Sequence, residues 1–301
     1  MDDNNKTDRV QVYPSFKRIV PNFKLAKVSA NQTTEIYGKM LEGKIRGVIE
    51  KRKNKKHNDI VTDYTFTNVE GYENTEPINE TDRAVLSVCC SAYEDGLRYM
   101  TLGMLLRGLT GKTRKTHNGK VNKAQRAAIL HSLQKLMNTI ITIDLTQTNK
   151  KLHYEGKKKI TSTLLPAKYV TSIINGQPVE DVIYFLDESP YLTIAKDRKQ
   201  LLTFDASLLN VPHQKNTPLI ITLKNYVMNR IQEIKLHKMT ATLTLDNIFK
   251  KCRIDDANSN TKMNSRKAVE QFFAHLKVKK EIKSYEWIKK GNKFYSIKFI
   301  Y

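Results

Sequence analysis

Lys267 and Gln271 stand four residues apart in a stretch where Val269, Phe272 and Leu276 recur at helical spacing. With about 100° of turn per residue, those apolar side chains share one face of a helix. Lys267, Gln271 and Ala274 then fall on the opposite face, with Arg266 and His275 at its edges. The chemistry open to such a set is hydrogen bonding to base edges. A glutamine amide matches adenine with two bonds, and a lysine or arginine matches guanine. Arg266, Lys267, Gln271 and His275 are therefore candidate base readers; the plainer alternative is that they solvate the outside of a helix.

A second basic group lies near the middle of the chain. Between Lys112 and Ile143 there are seven basic residues and no acidic one. Lys112, Arg114, Lys115, Lys120, Lys123 and Arg126 are candidate phosphate contacts, placed before and at the start of a helix. On that helix the periodicity turns Ala124, Ala128, His131 and Lys135 outward. Lys289, Lys290 and Lys293 surround a Gly291-Asn292 turn and form a third candidate phosphate group. Lys51 to His57 reads KRKNKKH, either a solvated linker or hairpin tip, or an arm reaching DNA phosphates. Over the whole chain 52 Lys and Arg oppose 30 Asp and Glu, a formal charge of +22, which points to a polyanionic partner.

Other chemistries lack their residues. No GxxxxGK[ST] loop is present to cradle a nucleotide, and no His-x-His pair to hold the metal of a strand-nicking enzyme. Asp255-Asp256 is the one notable carboxylate pair, and its polar setting reads as a solvated loop. Cys89, Cys90 and Cys252 fit neither a disulfide framework nor a zinc site. The expectation is no catalytic residue, no metal and no cofactor. No run approaches 18 apolar residues, and MDDNNKTDRV lacks the basic-then-apolar order of a signal peptide, so no membrane and a cytoplasmic location are expected.

These groups need elements to carry them. Asn79 or Thr81 caps a predicted helix ending near Glu94, before Gly96. Thr101 precedes a short helix closed by Gly111, and Asn122 caps a third from about Lys123 to Met137. Thr139 to Leu145, returning near Leu152 to Tyr154, reads as a β-hairpin wing. The pattern recurs: a helix over Leu219 to Ile234, a short helix capped by Thr244, a third capped by Ser265 and running to about Lys277, and a hairpin from Ile282 to Tyr301. The fold class expected is α+β, with tandem winged helix-turn-helix domains. The divisions are an N-terminal extension over 1–78, a first domain over 79–213 with an extended β region, and a second over 214–301.

Several stretches now carry a resemblance. TDRAVLSVCCSAYEDG, YMTLGMLLRGLTG and LHSLQKLMN are followed by LLPAKYVTSIINGQ, SPYLTIAKDRKQLLTFDASLLNVP and NTPLIITLKNYVMNRIQEIK. From about residue 79 onward, their order and spacing resemble the plasmid replication initiators built from two winged-helix domains. The resemblance implies binding of double-stranded DNA at repeated origin sites, called iterons, with the C-terminal domain making the main sequence-specific contact. It places Arg266, Lys267 and Gln271 on that reading helix and Lys123 and Arg126 on its N-terminal counterpart. It further implies self-association as a dimer through the first domain, origin opening, and recruitment of a host helicase or initiator. The alternatives are a tandem winged-helix transcriptional regulator, an origin nickase or primase, and an RNA-binding module.

Overall fold

The computed structural model describes residues 17–21, 44–50, 60–68, 78–113, 120–144, 159–174, 177–197 and 200–301. In chain order these form β1 (Lys17–Pro21), β2 (Lys44–Glu50), β3 (Ile60–Asn68), α1 (Glu80–Glu94), β4 (Tyr99–Thr101), α2 (Leu102–Thr110) and α3 (Lys123–Asn138). Then come β5 (Thr139–Asp144), β6 (Lys159–Thr163), β7 (Ala167–Ile174), β8 (Gln177–Phe185), α4 (Pro190–Asp197), β9 (Leu201–Asp205) and a 3-10 turn, Ala206–Leu209. The C-terminal part holds α5 (Pro218–His237), β10 (Thr242–Thr244), α6 (Leu245–Lys251), α7 (Ser259–Val278), β11 (Ser284–Lys290) and β12 (Lys293–Ile300). The result is mixed α/β, several small sheets against helices, in a winged-helix-like arrangement.

The two halves repeat one local device. Thr101 ends β4 and its hydroxyl accepts the Met104 N–H at 3.3 Å; Thr244 ends β10 and accepts the Asn247 N–H at 3.4 Å. Each threonine thus closes a strand and caps the helix that follows. Just before it, Met100 and Leu243 are buried opposite Ile183 and Ile297 of the paired strands. The sheets have matching order, β4-β8-β7 in one half and β10-β12-β11 in the other.

That match corrects the expected wing of the first half. Thr139 to Leu145 is not one arm of a free hairpin. Its strand, β5, is flanked by β3 and β6 in a sheet ordered β2-β3-β5-β6, and Ile141 and Ile143 are buried. The return strand is Lys159–Thr163; Leu152 to Tyr154 lie outside the described residues. The hairpin in wing position is β7–β8, on either side of Asn175-Gly176, a dipeptide favoured in tight hairpin turns.

α7 also begins earlier than its expected cap. The Asn258 side chain accepts the Thr261 N–H at 2.8 Å, so the helix starts at Ser259, and Ser265 is buried within it. Asn79 is the cap of α1: its side chain accepts the Asp82 N–H while the Asp82 carboxylate accepts the Asn79 N–H.

Two apolar cores result, and each takes a residue from the far part of the chain. Ile221 of α5 packs in the first core, and Val20 of β1 packs in the second. β1 pairs antiparallel with β9 and carries Arg18, which is 3% exposed. Its guanidinium donates to Ser87 Oγ at 2.7 Å, to the carbonyls of Gly108 and Ala84 at 2.8 Å, and to Asn225 Oδ1 at 3.1 Å. Asn225 Nδ2 in turn donates to the Leu109 carbonyl at 3.0 Å. One side chain therefore joins α1, α2 and α5. Close beside it, Gly111 has φ +68, and a Cβ there would lie 2.0 Å from the Ala206 carbonyl oxygen. Only glycine lets the end of α2 approach the 3-10 turn this closely.

Arg18→Met removes the donor that serves Ser87 Oγ, Asn225 Oδ1 and the Gly108 and Ala84 carbonyls, and each acceptor left buried without a donor costs about 1–3 kcal/mol. The expected result in urea unfolding is a loss of about 3 kcal/mol or more, with the single transition separating into two. An unchanged midpoint would show that Arg18 does not join the halves.

Candidate nucleic-acid interface

α7 presents its candidates unequally. Lys267 is exposed. Arg266 is partly covered: its guanidinium lies 4.0 Å from the Phe294 ring centroid and 6.0 Å from that of Trp287, and it pairs with Glu270 at 3.3 Å. It therefore braces the β11–β12 hairpin against the helix. Gln271 is exposed, and its Oε1 accepts from Gln214 Nε2 at 3.1 Å. His275 does not face outward. It is 8% exposed, covered by the 3-10 turn at Leu208, and its pKa is lowered by burial, then by the charges of Lys279 and Lys224. An imidazole buried against the 3-10 turn cannot reach a base edge, so His275 leaves the candidate set.

The hairpin turn keeps its charge. Lys289, Lys290 and Lys293 are all exposed, with Gly291 at φ +59 between them. Lys290 Nζ lies 3.6 Å from the Tyr295 ring centroid, and Lys289 Nζ lies 4.9 Å from that of Phe294. Through Phe294, Arg266 and this lysine turn share one brace. The second half thus brings together Lys267, Gln271, Arg266 and three turn lysines.

The first half is less free. Lys123 and Ala124 are exposed at the start of α3. Arg126 is exposed too, but its guanidinium pairs with Asp181 of β8 at 2.8 Å and reaches the Tyr169 hydroxyl at 3.4 Å. Burial pushes the Asp181 carboxyl up, yet bonds from Tyr169, Arg126 and Thr171 together hold it below its usual range. His131 is exposed, but Lys135 is not an outward residue. It is 0% exposed, and its Nζ bonds Asp82 Oδ2 at 2.9 Å while Ser132 Oγ donates to Asp82 Oδ1 at 2.6 Å. α1 covers that edge of α3, and the lysine serves the core.

Lys112 and Lys120 line a cleft beside α3. Arg114 and Lys115 lie outside the described residues, as does the basic run 51–57. Asp255 and Asp256 are exposed in their loop. The three cysteines are buried free thiols, and among the described residues no cluster of His, Cys, Asp or Glu is placed to hold a metal. Among them too, no helix is long and apolar enough to cross a membrane.

Sequence reasoning missed the segment 212–217, where it placed only the division between the two domains at 213 and 214. It is a bridge. Gln125 Nε2 of α3 donates to the Asn216 carbonyl at 2.6 Å, and Gln214 Nε2 donates to Gln271 Oε1 and to the Ala268 carbonyl of α7 at 3.2 Å. Beneath it lies Lys224, 2% exposed, donating to the Leu209 carbonyl at 2.7 Å and to Asn216 Oδ1 at 2.8 Å. Burial, helped by the charge of Lys112, pulls its pKa down to about 7.

No protein-family model matches the chain, and no curated protein matches it. Among solved structures it is similar to a crystal structure of selenomethionine derivatives of domains 2 and 3 of RctB. The identity is 11%, over 85% of this chain and 90% of that one, with a TM-score of 0.40. A second crystal structure of RctB domains 2–3 matches at 12% identity, over 85% and 91% of the two chains, with a TM-score of 0.39.

Lys224 makes stability depend on pH. Its folded pKa, about 7, is below the ordinary 10.5, so between those values the unfolded chain binds more protons and stability rises with pH. The cost of burying the charge is full below pH 7 and shrinks above it. Relative to Lys224→Met, the native chain should gain about 2 kcal/mol between pH 7 and pH 9. Denaturant melts at both pH values measure the difference; parallel stabilities would refute the depressed pKa.

Proposed function

We propose that the chain is a sequence-specific double-stranded DNA-binding replication initiator built on tandem winged helix-turn-helix domains. The observation that carries this reading is the brace in the second half. Arg266, stacked on Phe294, holds a turn of three exposed lysines alongside a helix whose outward residues are Lys267 and Gln271. A helix with a cation and an amide facing out suits a major groove, and a lysine turn beside it suits the flanking phosphates. The overall charge of +22 supports the same partner. The resemblance to two-domain plasmid initiators supplies the biological setting: repeated sites at an origin, in a cytoplasm.

The mechanism needs no catalytic residue. Lysines displace condensed counterions and give sequence-independent affinity. α7 reads bases through Lys267 and Gln271, with Arg266 positioning the wing. α3 contributes phosphate contacts through Lys123, with Lys112 and Lys120 nearby. Two such helices on a fixed linkage select a spacing as well as a sequence. Copies on adjacent repeats distort the duplex, favouring opening of a weak neighbouring segment and entry of a host helicase. Self-association through the first domain belongs to the same reading. A tandem winged-helix regulator would share every one of these surfaces and differ in the site bound.

Footprinting on the DNA flanking the chain's own coding region tests it. Repeated protected blocks beside an AT-rich segment are expected. Lys267→Ala should cost about 1–3 kcal/mol on that site and much less on unrelated duplex. Uniform protection, or no effect of Lys267→Ala, would remove α7 as the reading helix. Metal-dependent cleavage of an origin strand would instead make the chain an enzyme.

A further inference from the structure

The bridge between α3 and α7 roofs a cleft of about 510 Å³. Lys112 and Lys120 enter it from the segment before α3, Lys215 from the bridge, and Gln125, Gln214 and Asn216 supply amides; among the described residues no carboxylate lines it. The wall is fixed before any ligand arrives. Gln125 Oε1 accepts the Asn122 N–H at 3.1 Å, and its Nε2 is committed to the Asn216 carbonyl. Asn216 is held from behind by Lys224. Three ammonium stems thus converge on a rigid polar wall at the N-terminal end of α3, where the helix dipole also favours negative charge.

Position narrows the ligand. The bridge touches α3 at Gln125 and α7 at Ala268 and Gln271. The cleft therefore lies on the path between the two helices assigned above to DNA. A duplex lying against both must carry its backbone across that path, and a backbone offers one anionic phosphate at each step. The cleft is also large enough for a free phosphate compound.

We propose that this junction cleft is a phosphate-binding site, formed by Lys112, Lys120 and Lys215 over the Gln125–Asn216 wall, which grips a phosphate between the two reading helices. Its assignment to a DNA phosphate rests on the duplex-binding reading; its affinity for phosphate does not. Lys215 becomes a contact residue, and Gln125 and Asn216 become positioning residues.

The test uses the full chain and the variant Lys112→Gln/Lys215→Gln, with Lys112→Arg/Lys215→Arg as the charge-retaining control. Thermal melts establish that each folds. With duplex, the log–log salt dependence of affinity should lose about one unit of slope in the Gln variant and keep its slope in the Arg variant. The loss should be equal on cognate and unrelated duplex, because phosphates carry no sequence. A neutral methylphosphonate placed between two protected blocks should weaken the native chain several-fold and leave the Gln variant unaffected. In a second arm, pyrophosphate is titrated while the amide resonances of Gln125 and Asn216 are followed. Saturation that vanishes in the Gln variant, with no change in the duplex salt slope, assigns the site to a free phosphate compound. Saturation in a chain that binds no duplex overturns the preceding section and leaves the cleft standing. An unchanged slope together with no pyrophosphate response overturns the proposal.

Discussion

Among the described residues Arg18 is a buried cation whose hydrogen-bond partners include no carboxylate, and the relation of the two halves depends on it. Burial pulls its pKa down to about 9, so it still carries its charge near neutral pH, stabilised by dipoles alone. Two of its acceptors explain why that suffices. Gly108 lies in the last turn of α2, where carbonyls have no partner within the helix and the helix end carries partial negative charge. Asn225 takes the next carbonyl, Leu109, and also accepts from the guanidinium. The C-terminus of α2 is therefore satisfied from outside, by a strand far earlier and a helix far later in the chain. Ser87 closes the set by donating to the Ile19 carbonyl, fixing β1 along α1.

The same economy recurs at other cations, and it changes what the net charge means. Lys135 is internal, balanced by Asp82. Lys224 is internal, held by a carbonyl and an amide. Arg126 and Arg266 spend part of their charge joining a third helix to a hairpin. Others stay on the surface, among them Lys123 and Lys267 on helices and three lysines at the second hairpin turn, while Lys112 and Lys215 line the cleft between. A charge of +22 is thus partly a structural component, and part of its outward share lies on the two third helices and their bridge.

Local signals were legible in the sequence. Asn79, Thr101, Asn122 and Thr244 each cap a helix by a bond to an N–H two or three residues on, so sequence neighbours alone set them. Apolar periodicity placed α1, α2, α3 and α5 for the same reason. What failed required a partner distant in the chain. β5 looks like a hairpin arm until β3 takes its other edge. The wheel turns Lys135 outward and sets His275 at an edge, and α1 and the 3-10 turn decide that both are inside. The segment 212–217 has no periodicity at all; its role comes from the Asn216 carbonyl, which accepts from Gln125 of α3, and the Gln214 amide, which donates to Gln271 of α7.

The two halves share a plan and differ in how the third helix meets its hairpin, which bears on their division of labour. In the first, Arg126 is bound by a carboxylate, so a phosphate arriving there must compete with Asp181 for the same donors. In the second, the aromatic rings of Phe294 and Trp287 hold Arg266. Rings orient a guanidinium without neutralising it, and no acidic residue stands in the adjacent turn from Lys289 to Lys293. Glu270 offsets part of the Arg266 charge at 3.3 Å, yet the hairpin itself stays cationic. On the reading proposed above, the second half therefore has the stronger hold on a backbone close to its reading helix. The bridge fixes the first half at a set distance from it, so the weaker half contributes through position, and spacing between contacts becomes part of what the chain recognises.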